Sequence, residues 1–308
     1  MPGEAKNTNS NKGAKFVVTP AQTILIVAVG IAVFLVVMGD YGRLASKNDV
    51  PLASQTVPID QDIVTPSAGV ALPITWGSLG SQMVKEGVID AEAFEDLYAR
   101  RGGLDAQSRD MLYGTQNEGI IINPENSGII LNLLWAFGLS NKNRILEEGP
   151  MQDEQYGGAQ YFASTGGWTL AVGDTMDHYS AHTFVTLTKE QQELVERVAK
   201  NIYRPCCGNS TYFPDCNHGM AMLGLLELLA AEGASEDEMY TVALQVNSYW
   251  FPGVYYTIAT YFEAQGIAWA DVDPKLVLGE DYSSAYGFNN VLQAMKPTAP
   301  QSGPGCGV

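Results

Sequence analysis

The chain has 308 residues, 46% of them hydrophobic and 10% aromatic, which is enough apolar surface for a sizeable core and excludes global disorder. Acidic residues outnumber basic ones 34 to 17, giving a net charge of −17, so there is no basic face to neutralise phosphates and nucleic acid is excluded as a partner. Four Cys and three His are the rarest reactive residues, and six of these seven lie between positions 178 and 218.

Residues 1–15 are polar, with Lys6, Lys12 and Lys15 as their main charges, and read as a cytoplasmic tail. The stretch 16–38 contains no ionisable side chain. As a helix it would reach roughly 34 Å, enough for a hydrocarbon core of about 30 Å, so the sequence predicts an uncleaved transmembrane anchor. The expected arrangement is therefore a single-pass cell-membrane protein with an extracytoplasmic body. The membrane, and a protein at its surface, are the expected partners.

Residues 39–73 hold Pro51, Pro58, Pro66 and Pro73 without an apolar period and read as a linker. From 74 to 296 the texture is that of a helical extracytoplasmic domain with long loops, so the fold class expected is mainly α. Short helices are predicted over 77–87, 90–101 and 105–113, the second opened by Asp90. A short strand is predicted at 119–123, then a buried helix over 123–139 with Asn123 as its cap and Pro124 at its first position. The Gly-rich segment 147–175 reads as a long loop. Thr188 and Gln191 form a capping box for the next helix, and Ser235 and Glu238 form another for 236–250. Between them a helix is predicted over 217–232, stopped by Gly233, and a further one over 250–266 follows. Residues 267–295 read as short helices and loops, and 297–308 as a flexible tail containing Cys306.

The segment 203–229 holds the chemistry. Cys206 and Cys207 are adjacent, Cys216 lies nine residues beyond, and His218 follows two later, at the start of a predicted helix. Amide groups exposed there favour negative charge and a lowered thiol pKa. The four residues make a Cys3His set whose softness suits a transition metal (Zn, Cu or Fe) or an iron–sulfur cluster, and not Mg or Ca. Two other readings remain open: a structural disulfide between Cys216 and Cys206 or Cys207, and a redox-active thiol pair. His178 and His182 are four apart and share a face on either a helix or a strand. With Asp177 beside them, they are expected as additional ligands or as hydrogen-bond partners of the ligands. Asn209-Ser210-Thr211 matches a glycosylation sequon, which a turn explains equally well. No P-loop, nucleophile elbow or Cys-x-x-Cys-His haem attachment pattern is present.

Residues 194–249 resemble the cysteine-loop three-helix domain of cytochrome c maturation thiol proteins. Arg204-Pro205-Cys206 matches the helix-ending element of that family, and the run from Gly233 to Glu238 matches the link that opens its third helix. The pattern departs in its second cysteine, which is adjacent here, and in Cys216 and His218, which are extra. The resemblance implies a thiol-bearing helical hairpin and extracytoplasmic handling of apocytochrome thiols. Three functions thus compete: metal or electron handling through the Cys3His set, thiol–disulfide oxidoreductase chemistry, and a disulfide-stapled binding domain.

Overall fold

The computed structural model describes residues 59–115 and 119–296. They are mainly α-helical, as the periodicity predicts. The Pro-rich segment folds further than expected. A short helix α1 (Gln61–Val64) is capped by Asp60, and strand β1 (Val70–Leu72) pairs antiparallel with β2 (Ile120–Ile122). Val64 and Leu72 are buried, so this stretch belongs to the body from residue 59 onward.

The next three helices follow their sequence signals. Helix α2 spans Leu79–Lys85 and α3 spans Ala91–Ala99, where Asp90 accepts hydrogen bonds from two first-turn amides. Helix α4 (Ala106–Tyr113) is capped by Asp105 in the same way. Helix α5 runs over Ser127–Ser140 and starts later than predicted. Asn123 Oδ1 accepts from the amides of Glu125 and Asn126, and Asn126 Oδ1 accepts from the amide of Asn123. That reciprocal turn consumes the cap and delays the helix past Pro124.

The predicted 147–175 loop is an ordered series of turns. It follows α6 (Arg144–Glu148), passes through three 3-10 turns, and contains α7 (Ala163–Gly166). Its anchor is Trp168, fully buried, whose indole donates to the carbonyl of Val88 at 2.9 Å. Two capping boxes then appear where expected, on α8 (Lys189–Ala199) and, after α9 (Asn217–Ala231), on α10 (Glu236–Trp250). Helix α11 (Pro252–Glu263) and the short α12 (Pro274–Leu278), α13 (Glu280–Ser283) and α14 (Ala285–Ala294) complete the body.

Helices α5 and α9 form the centre. Twelve of the fourteen residues of α5 and twelve of the fifteen of α9 are buried, so neither has a solvent face. Gly138 and Gly224 let their backbones touch: a Cβ at Gly138 would lie 2.2 Å from the Met220 carbonyl oxygen. This contact fixes the axis of α9, and with it the position of its first residues.

The membrane expectation is corrected. Among the described residues no helix is long and apolar enough to cross a membrane. The longest, α9 and α10, have 15 residues each and reach about 22 Å, short of a hydrocarbon core of about 30 Å. The segment 16–38, on which the anchor was placed, lies outside the described residues, as does the 297–308 tail. Among the described residues nothing supports a transmembrane anchor, a cytoplasmic N-terminus with an extracytoplasmic body, or the membrane as partner.

Candidate metal centre

The cysteine loop is the connection between α8 and α9, and backbone bonds close it. Tyr203 and Ser210 pair as an antiparallel bridge, and the Thr211 amide donates to the Ile202 carbonyl at 2.8 Å. At the loop's tip the Cys207 amide donates back to the Arg204 carbonyl, a turn that places Cys206 and Cys207 side by side. The loop is tied to other elements too. Ala285 at the start of α14 donates to the Cys207 carbonyl, and Ser164 of α7 donates to that of Asp215.

Cys216 is the N-cap of α9, and its Sγ accepts from the Gly219 amide at 3.4 Å. Its Sγ lies 3.5 Å from that of Cys206, a contact and not a bond, since a disulfide would bring the atoms to about 2.05 Å. Cys206 is exposed, whereas Cys207, Cys216 and His218 are half-buried. Two sets of potential ligand atoms converge to within 4.8 Å of one another: Cys206, Cys216 and His218, and Cys207, Asp215 and Cys216. The loop thus contains a Cys/His/Asp cluster capable of coordinating a metal ion. The four residues of the expected Cys3His set all lie in it, but they divide between two triads with Cys216 in common.

Asp215 and Arg204 are the parts that pattern reading passed over. Arg204 is fully buried, and its Nη2 donates to Asp215 Oδ1 at 2.7 Å and to the Phe213 carbonyl at 3.3 Å. Asn209 Nδ2 donates to Asp215 Oδ2 at 2.9 Å, so the amide of the apparent sequon is engaged in fixing this carboxylate. The guanidinium fits because residue 219 is glycine: a Cβ there would sit 2.7 Å from Arg204 Cζ. Asp215 was discoverable in principle, as a carboxylate directly preceding a candidate ligand. The Arg204 partnership spans eleven residues and is tertiary.

Electrostatics single out Cys216. The neighbouring Cys206 and Cys207 thiols hold its pKa far below the ordinary thiol value, with His218 and the Arg204 charge adding to the effect against the cost of burial. Cys206 is raised, chiefly by Cys207 and then by Cys216 and burial, whereas for Cys207 the lowering by Cys206 is outweighed by Cys216 and burial and the net shift is upward. His218 packs against Phe251 with ring centroids 4.4 Å apart, and its Nδ1 is buried with no hydrogen-bond partner. An imidazole nitrogen left without a donor or acceptor in a thiolate cluster fits a metal ligand.

The second histidine pair lies elsewhere. His178 Nδ1 and His182 Nε2 are 3.0 Å apart, and His178 Nε2 is 3.3 Å from the Val172 carbonyl oxygen. That carbonyl can only accept, which assigns the Nε2 proton to His178 and makes its Nδ1 the acceptor for His182. Both nitrogens of His178 are thus occupied by the protein. His182 stacks on Phe184, and burial, followed by the neighbouring His178, lowers its pKa. Among the described residues, neither histidine nor Asp177, at the end of a 3-10 turn, joins a group of converging ligand atoms. The structure does not bring these three to the cysteine cluster.

Comparison of the chain with models of known protein families, with curated proteins and with solved structures finds no match.

Proposed function

We propose that this protein binds a soft transition-metal ion through Cys206, Cys216 and His218. The observation that carries the reading is the convergence of these three ligand atoms to within 4.8 Å of one another. Tetrahedral coordination with metal–sulfur bonds of about 2.3 Å needs donors roughly 3.8 Å apart, a spacing the cluster reaches with small side-chain adjustments. Two thiolates and an imidazole suit Zn(II) or Cu(I).

One observation favours a second reading. Exposed Cys206 lies 3.5 Å from a stabilised Cys216 thiolate, the geometry of a thiol–disulfide exchange pair. In that chemistry the Cys216 thiolate attacks one sulfur of a partner disulfide and expels the other as a thiolate. Cys206, once deprotonated, then displaces the second partner thiolate and closes the Cys206–Cys216 bridge.

Anaerobic purification without reductant, followed by elemental analysis and thiol counting on the full chain, separates the two. The metal reading expects about one or more equivalents of a transition metal, with thiols that react only after chelation. A metal-free protein with two thiols missing supports the exchange pair. A metal-free protein that takes up no added Zn(II) contradicts the metal reading.

A further inference from the structure

Resting on that metal reading, we propose that the cluster is a two-ion centre, in which the Cys216 sulfur bridges one ion held by Cys206 and His218 and another held by Cys207 and Asp215. The division of ligands is the basis. The two triads share Cys216 alone, and no group of converging ligand atoms contains both Cys206 and Cys207. A single tetrahedral ion bound by all three sulfurs would require those two to converge as well. The turn that sets Cys206 beside Cys207 instead leaves the two adjacent thiols in different triads that share one sulfur.

The contacts around Cys216 foreshadow both positions. Cys206 Sγ lies 3.5 Å from Cys216 Sγ, a contact where an ion can replace a proton between two sulfurs, and Cys207 Sγ lies 3.9 Å from Asp215 Oδ1, its fellow ligand in the other triad. On one side the buried, unpartnered Nδ1 of His218 belongs to the triad's third ligand. On the other, Asp215 is held through both carboxylate oxygens by Arg204 and Asn209, and each oxygen keeps a further lone pair. This is a preoriented carboxylate beside two sulfurs, not a free surface side chain.

Charge permits it. Three thiolates and one carboxylate beside the buried Arg204 guanidinium leave the site at −3, so one divalent ion takes it to −1 and two take it to +1. Thiolate sulfur has the lone pairs to bridge soft ions, and thiolate ligands select them. Binding each ion releases the thiol proton it replaces, so no oxidant or reductant is involved.

The test is anaerobic titration of the full chain with isotopically enriched cadmium(II), read by cadmium NMR and by metal counting after gel filtration. Two equivalents and two resonances are expected, scalar-coupled to each other through the shared sulfur. Cys207→Ser should lower the count from two to one and remove the coupling, and Cys206→Ser should do the same for the other ion. One equivalent with a single uncoupled resonance in the unaltered chain would overturn the two-ion centre and leave the metal reading standing. No stoichiometric uptake would overturn both. The unaltered chain decides the question even if a variant misfolds, which circular dichroism would reveal.

Discussion

At the scale of the residue, Cys216 combines three roles in one atom. Its sulfur caps α9, contacts the Cys206 sulfur at 3.5 Å, and belongs to both groups of ligands. What holds it there is a buried ion pair: Arg204 has no exposed surface, and Asp215 is the carboxylate that partners it. Breaking one member of such a pair is far costlier than the pair is worth, because the other charge is left buried. The space for the guanidinium comes from the missing side chain at Gly219. Gly219→Ala should therefore displace Arg204, destabilise the protein by about 1–3 kcal/mol, and weaken metal binding together with stability. Urea midpoints and a cadmium titration on the same sample check this, and an unchanged midpoint with unchanged affinity would contradict it.

At the scale of the element, the site inherits its position from the α5–α9 contact, which also buries a carboxyl group. Glu227 on α9 is fully buried, accepts from Asn141 Nδ2 at 2.5 Å, and its Oε1 has no hydrogen-bond partner. Burial raises its pKa well above the ordinary 4.5, so it is a neutral acid near neutral pH. A folded-state pKa above the unfolded one contributes stability below the unfolded value, and that stability is lost as pH rises from there through the folded value. Glu227→Gln keeps the shape and cannot ionise. Relative to the unaltered chain it should gain urea resistance between about pH 5 and about pH 8, and an equal difference at both would refute the argument. Elements whose signals are local were legible in the sequence: Asp90, Thr188 with Gln191, and Ser235 with Glu238 all cap as their spacing predicts. Features decided by partners were not. Strand β1 is three residues long, too short for a period, and exists because β2 pairs with it. The division of Cys206 and Cys207 between two triads depends on the folded loop, and the burial of Arg204 on a glycine fifteen positions away.

At the scale of the molecule, the −17 charge favours cations in general, and only the cysteine loop converts that preference into a site for soft ones. The loop is bonded to α7 and α14 as well as to the helices it connects, so an ion bound there ties four parts of the body together. An ion that binds the folded state alone stabilises it by about 2.7 kcal/mol at a hundredfold excess over Kd. In a body of this size, that corresponds to roughly 5–10 °C in Tm. The expected histidine ligands failed at this same scale. His178 and His182 are near Cys206 in sequence, but the fold gives them each other as partners.

The most direct test of the central claim is an anaerobic cadmium(II) titration of the full chain and of Cys216→Ser, followed by thiolate-to-metal charge-transfer absorption. The account predicts a saturable band in the unaltered chain, accompanied by the rise in Tm, and loss of both in the variant. No charge-transfer band in the unaltered chain, or a variant that binds cadmium equally well, would contradict it.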